Sequence, residues 1–240
     1  MDNLHEVWVY LSTLPLFHLT LTMVAYQIGL FVHRHGKSHP LLNPVLISVI
    51  IIVSLLIGTG TSYEQYFEGA QLVHFLLGPA TVALAIPLYR QFHRVRRSTA
   101  AILVSVIVGG ATAAASAVVL ASILGASQQA LVSIAPKSVT APVAMGIAHE
   151  LGGLPSLTAA VVIATGILGA MMGPTLLKRI GITDSAARGF AIGTASHGIG
   201  TARAAQENEI AGAFAGLAMG LNALATAILL PLLWRLIVGV

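Results

Sequence analysis

Apolar residues run along this chain in blocks of about 20, the length a helix needs to cross the hydrocarbon core of a bilayer, and the charges fall between the blocks. Cutting at the charges predicts five continuous helical spans, over 7–32, 40–58, 98–126, 154–177 and 210–234. Three more apolar segments are interrupted. Gly69–Tyr89 holds Gly78-Pro79 and Pro87, and Ser127–Ala148 holds Pro136, Lys137 and Pro142. Gly189–Ala202 has only 14 residues between Arg188 and Arg203, too few to cross as a helix. The predicted class is an all-α polytopic membrane protein with about eight hydrophobic segments, two or three of them broken or re-entrant, in a single transmembrane domain over 1–240. Pro79-Ala80-Thr81-Val82 resembles Pro136-Lys137-Ser138-Val139, each with a second proline downstream. Paired interrupted helices in two halves are what transporter repeats produce, so this echo marks a candidate internal repeat.

Composition agrees with that reading. Only 8% of the 240 residues are charged, 12 Lys and Arg with 8 Asp and Glu, where a soluble domain of this length carries roughly 60. A mean hydropathy of +0.89 excludes a water-soluble globule, and an apolar content of 56% excludes a disordered chain. The absence of cysteine removes disulfides, thiolate-held zinc or haem and iron–sulfur clusters, and no cofactor or metal is expected. The net charge of +4 does not imply nucleic acid, because the basic residues sit between spans as cytoplasmic anchors. Asp2 and Glu6 stand where a signal peptide would be basic, so the first span should be retained. Lys and Arg in loops 33–39 and 90–97 place those loops in the cytoplasm and the N-terminus outside. Tyr63, Tyr66 and Phe67 then fit an outer aromatic belt. Lys178 and Arg179 obey the same rule only if 127–148 re-enters, which tilts the expectation toward re-entry.

Two stretches could carry chemistry. Between Arg97 and Glu150 the only formal charge is Lys137, which costs at least about 2.5–3.5 kcal/mol at the bilayer centre. Pro142 interrupts a helix there, and a helix restarting at Pro136 would leave free amides near Lys137, Ser138 and Val139 for an anion. The bland alternative is a lysine snorkelling to an interface from a half-helix end. In the second stretch, 189–203, Gly193, Gly198 and Gly200 permit unwinding, while Thr194, Ser196, Thr201 and His197 supply polar groups. Its bland alternative is tight packing on Gly189-x-x-x-Gly193, which accounts for the glycines but not for the histidine among hydroxyls. The expectation is that the two segments meet in the membrane around one anion site. Lys137 and Arg203 would bring charge, Ser138, Thr140, Ser196 and Thr201 hydrogen bonds, and His197 a titratable donor. Pro79, Pro136, Pro142, Gly193, Gly198 and Gly200 are the expected helix breakers.

Enzymatic patterns fail. His149-Glu150 lacks the second histidine of a zincin, no P-loop is present, and no strand precedes Gly198-Ile199-Gly200. No catalytic residue is assigned. His18, His74 and Asn222 read as interhelical hydrogen-bonding groups, and Asp184/Arg188 and Arg203/Glu207 as pairs four apart on a helix.

At the same stretches the sequence resembles the LrgB/CidB family of membrane proteins. The likeness runs through Ala-Pro-Lys-Ser-Val-Thr-Ala-Pro-Val-Ala-Met at 135–145, Leu-Gly-Gly-Leu-Pro-Ser-Leu-Thr-Ala at 151–159, Gly-Thr-Ala-Ser-His-Gly-Ile-Gly-Thr-Ala-Arg at 193–203 and Leu-Ala-Met-Gly-Leu-Asn at 217–222. An upstream block lies at 76–89; residues 1–60 are less distinctive. The resemblance implies either an antiholin-like regulator of murein hydrolase activity and lysis, or a carrier of glycolate, glycerate or pyruvate as in plastid and some bacterial members. It also implies a small LrgA/CidA-type membrane partner on a separate chain, a bacterial cytoplasmic membrane location and a homo-oligomer. Intramembrane charge and broken backbone favour the carrier, passive or proton-coupled.

Overall fold

The computed structural model describes residues 15–36, 42–76, 79, 82–83 and 85–238. Asp2, Glu6 and residues 37–41 lie outside them, as does the side chain of His74. Every regular element described is a helix, and the described residues fall into two compact units that divide between 83 and 84.

The first unit holds α1 (Pro15–His35), α2 (Pro44–Thr59) and α3 (Tyr63–Phe75). Asn43 caps α2 by accepting from the Val45 amide at 2.9 Å, and Pro44 fills the first turn, where its missing N–H costs nothing. The helix ends at Gly60, in the left-handed conformation (φ 67°). Helices α1 and α2 touch backbone to backbone: a Cβ on Gly29 would lie 2.5 Å from the Pro44 carbonyl oxygen. The Tyr66 hydroxyl and Thr22 Oγ1 join α3 to α1 at 2.8 Å. Glu64 and Glu68 lie in α3, which runs on past Gly69 into the apolar segment predicted to start there.

The second unit holds α4 (Ala85–Arg90), α5 (Phe92–Arg97), α6 (Thr99–Ile123), α7 (Gln128–Ile134), α8 (Ala141–Glu150), α9 (Pro155–Arg179), α10 (Ser185–Glu207) and α11 (Glu209–Val238). Among the described residues four helices are long and apolar enough to span a membrane: Leu16–His35 of α1, α6, α9 and Glu209–Leu236 of α11; α2 is a shorter apolar helix. Helix α6 is apolar all round yet buries only Ile102 and Val106. Such a surface belongs in lipid.

Long-range contacts fix which helix ends lie together. At one end of this unit Arg94 pairs with Asp184, Arg90 with Glu209 at 3.1 Å and Arg188 with Glu207 at 3.0 Å, while Asn208 donates to Ser185 at 3.2 Å. The two ends of α10 are therefore neighbours, and α10 is a hairpin. At the other end Arg235 pairs with Glu150 at 2.9 Å, and the Ser133 hydroxyl accepts from the Leu154 amide at 2.8 Å. Gln128 and Gln129, which begin α7, line one cavity with Glu150 and Leu151, which end α8. Helices α7 and α8 thus form a second hairpin, opening at the opposite end from the first. Each arm has 7 to 12 residues, a rise of about 10–18 Å, roughly half a hydrocarbon core.

Candidate functional site: two hairpin tips held by one asparagine

The first tip is the turn between α7 and α8. Lys137 donates its amide to the Ile134 carbonyl at 3.0 Å, and Val139 donates to the Pro136 carbonyl at 3.2 Å. The helix restarts at Ala141, with Pro142 in its first turn, rather than at Pro136 as expected. Two of the three amides foreseen as free are therefore spent on the turn itself. Thr140 stands at the helix start but its side chain makes no cap bond. Lys137 is half-buried, has no acidic partner among the described residues, and its Nζ lies 3.3 Å from Ser138 Oγ.

The second tip is His197. Its backbone sits at φ 42°, ψ −134°, the only non-glycine with positive φ among the described residues. This conformation reverses the chain between arms 185–196 and 198–207. A non-glycine residue there stores about 1–3 kcal/mol of strain and persists only where its surroundings over-determine it. Those surroundings are visible: Nε2 lies 2.9 Å from the Val162 carbonyl of α9, and Thr201 Oγ1 donates to the His197 carbonyl at 2.8 Å. Because a carbonyl only accepts, Nε2 carries the proton. Only Nδ1 remains to meet a substrate or a proton.

The two tips meet at Asn222 of α11. Its amide nitrogen donates to the Ser138 carbonyl at 3.3 Å and to the Thr194 carbonyl at 3.1 Å, one from each hairpin. The side chain is buried (1% exposed), and Oδ1 faces Gly110 of α6 without a partner. Val162 is a second point of convergence, packed against Val139 and Ala144 of the first hairpin while its carbonyl holds His197 of the second. Sequence reasoning treated Asn222 as a routine interhelical group; the available signal was a lone carboxamide inside an otherwise apolar span.

Several sequence assignments change. Gly193 is not a breaker: it is helical, and a Cβ there would sit 2.2 Å from the Ala215 carbonyl oxygen, as one on Gly189 would sit 2.1 Å from that of Ala211. Packing of the first arm on α11 explains both. Gly198 follows the break, and a Cβ there would meet only the Met219 sulfur, at 3.8 Å, while Gly200 lets the second arm pass Ser196. Ser196 is buried against Gly169 of α9. Arg203 lies six residues past the tip, about 9 Å along the returning arm, so it is set apart from Lys137's turn by position on its helix. Neither four-apart pair forms: Asp184 caps α10 through the Ala187 amide and pairs with Arg94, whereas Arg188 and Glu207 pair with each other. Their partners come from the hairpin closure, not the local turn. Pro79 is helical, but residues 77–78 and 80–81 beside it lie outside the described residues, and with them any break there. No group of three His, Asp or Glu that could hold a metal ion occurs among the described residues.

A protein-family model described as the LrgB-like family matches residues 22–236, which include both tips and Asn222. The chain belongs to the LrgB-like family. It is 39% identical to "Uncharacterized protein YxaC" of Bacillus subtilis (strain 168), covering 89% of this chain and 93% of the relative. It is 34% identical to "Holin-like protein CidB" of Staphylococcus epidermidis over 90% of this chain and 93% of the relative. It is 30% identical to "Antiholin-like protein LrgB" of Bacillus mycoides over 91% and 95%. No solved structure matches. With its apolar helices, this LrgB-like chain is a membrane protein.

Proposed function

We propose that this LrgB-like protein binds a small monocarboxylate of the glycolate, glycerate or pyruvate type at the paired tips and passes it across the membrane. The observation that carries this reading is Lys137, a cation without an acidic partner among the described residues, on a helix-breaking turn tied through Asn222 to the strained His197 tip. Ser138, Thr140, Ser196 and Thr201 are the neighbouring hydroxyls. The hairpins are read as re-entrant, one from each face, so that 127–148 and 189–203 stop at mid-membrane. That assigns the internal repeat to the two oppositely directed hairpins. Arg94, Lys178 and Arg179 then share the cytoplasmic face of a bacterial inner membrane, with the N-terminus outside. A homo-oligomer and an LrgA/CidA-type partner complete the proposal.

The relatives' holin-like and antiholin-like names favour a second reading, regulation of murein hydrolase activity and lysis, and they favour it over transport. Uptake of labelled glycolate, glycerate and pyruvate into proteoliposomes, with and without an LrgA-type partner, separates the two. Lys137→Ala should abolish uptake while leaving the protein folded in detergent. No uptake by the native protein under either condition, or unchanged substrate affinity in the variant, overturns the carrier reading. Normal autolysis control by Lys137→Ala in a deletion strain would leave regulation independent of this site.

A further inference from the structure

A groove of about 510 Å³ runs between α6, α10 and α11. Its mouth lies at the basic end, between Arg94, Ser98 and Asp184, and it runs inward past Gly109 and Thr194. Thr194 is the residue whose carbonyl Asn222 holds, and Gly109 adjoins the glycine under Asn222 Oδ1. The groove therefore passes beside a residue that Asn222 holds, and continues to Ala113 and Ala195. Phe190 and Phe214 wall one side, and the Arg94 guanidinium lies 6.0 Å from the centre of the Phe214 ring.

Three features bear on whether this groove holds water or lipid chains. Ser105 lines it halfway along, and its hydroxyl has no hydrogen-bonding partner among the described residues. Thr99, at the start of the same helix, instead bonds back to the preceding turn. A hydroxyl left unpaired toward hydrocarbon is unfavourable, whereas water or a ligand would satisfy it. The charged residues that line the mouth are Arg94 and Asp184, paired with each other. Finally, the Arg94–Asp184 pair is about half-exposed on both sides. Exposed pairs are weakly held, so an incoming carboxylate can take Asp184's place on Arg94.

We propose that this groove is the aqueous route by which a small carboxylate reaches the paired tips from the basic end, with Arg94 as its first contact. The identity of the anion rests on the transport reading above; the presence of water rests on the groove alone.

The native chain lacks cysteine, so single cysteines report without background. Ser105→Cys and Ala101→Cys are placed in the groove, and Val104→Cys on the exposed apolar face of the same helix serves as reference. In proteoliposomes, an anionic membrane-impermeant methanethiosulfonate added on the Arg94 side should modify positions 101 and 105 much faster than 104. Glycolate should slow modification at 105. Arg94→Gln should slow the anionic reagent about tenfold through loss of electrostatic focusing, and leave a cationic reagent of similar size unslowed. Equal rates at 104 and 105 overturn the proposal in favour of lipid. Oxidative cross-linking of Ser105→Cys between copies overturns it in favour of a helix interface. Modification at 105 that neither glycolate nor Arg94→Gln changes overturns the route while leaving a wet groove. The reagent comparison needs no uptake, so failure of the transport reading is a separate result.

Discussion

The His197 backbone makes a prediction whose sign is opposite to that for any ordinary helical position. In a helix interior, alanine is more stable than glycine by about 1 kcal/mol. At φ 42°, ψ −134° the Cβ is the source of strain, and glycine escapes about 1–3 kcal/mol of it while losing roughly 0.5–1 kcal/mol through its freer unfolded chain. His197→Ala and His197→Gly lose the same imidazole and the same bond to the Val162 carbonyl, so that loss cancels between them. The net expectation is His197→Gly more stable than His197→Ala by about 1 kcal/mol, near fivefold in the unfolding equilibrium. The comparison with the native protein is also informative. Against the native protein both variants lose a buried imidazole and its bond to the Val162 carbonyl, so both should be destabilised, His197→Gly the less of the two. Circular dichroism of the purified protein during denaturation of detergent micelles with sodium dodecyl sulfate measures both differences. Alanine equal to or above glycine would mean that His197 is an ordinary helical residue, and the hairpin reversal would fall with it.

Other substitutions test the rest of the arrangement. Asn222→Leu should cost about 1–3 kcal/mol, because it leaves the Ser138 and Thr194 carbonyls buried without donors; native stability and uptake in this variant would remove Asn222 as the link between tips. Gly193→Ala should destabilise severely, since the new methyl meets the Ala215 carbonyl at 2.2 Å, and Gly198→Ala should be mild by comparison; the reverse order in the same denaturation assay would refute the packing assignment. Cysteines at Ser98 and Asn208 should be labelled from one face of the membrane and a cysteine at Gln129 from the other, as the ion pairs at the two ends require; labelling of all three from one face would sink the two-ended topology.

The spans were legible because burial in lipid leaves its mark locally. The predicted spans over 98–126, 154–177 and 210–234 are observed as helices at 99–123, 155–179 and 209–238, the described part of the first runs from 15 to 35, and that over 40–58 is a shorter apolar helix at 44–59. A charge-free apolar run is decided by the solvent, not by a distant partner. The interrupted segments were legible only as interruptions. Whether 189–203 crossed or returned depended on Arg188 with Glu207 and on Arg94 with Asp184, pairs separated by 19 and 90 residues. The local rule for charges four apart chose the wrong partners for the same side chains.

The glycines show most clearly where local inference stops. Glycine is the residue that adopts positive φ without penalty, so Gly193, Gly198 and Gly200 were the natural breakers, yet the reversal falls on the histidine between them. The reason is the contact that only His197 can make: its ring nitrogen reaches the Val162 carbonyl across α9, and Gly166 leaves room for the ring, since a Cβ there would lie 2.7 Å from it. A glycine at 197 would be relaxed and silent. A histidine there is strained and points a polar ring at the neighbour of Val139, beside the first tip. Sequences that agree with their fold at every level break local rules mainly at functional positions. Here two violations, a half-buried lysine with no acidic partner among the described residues and a non-glycine reversal, stand on separate hairpins from opposite ends. One asparagine touches the backbone beside each. Packing alone explains Gly189 and Gly193; the convergence of both violations on Asn222 is what the proposed binding site would account for, and Asn222→Leu tests that link.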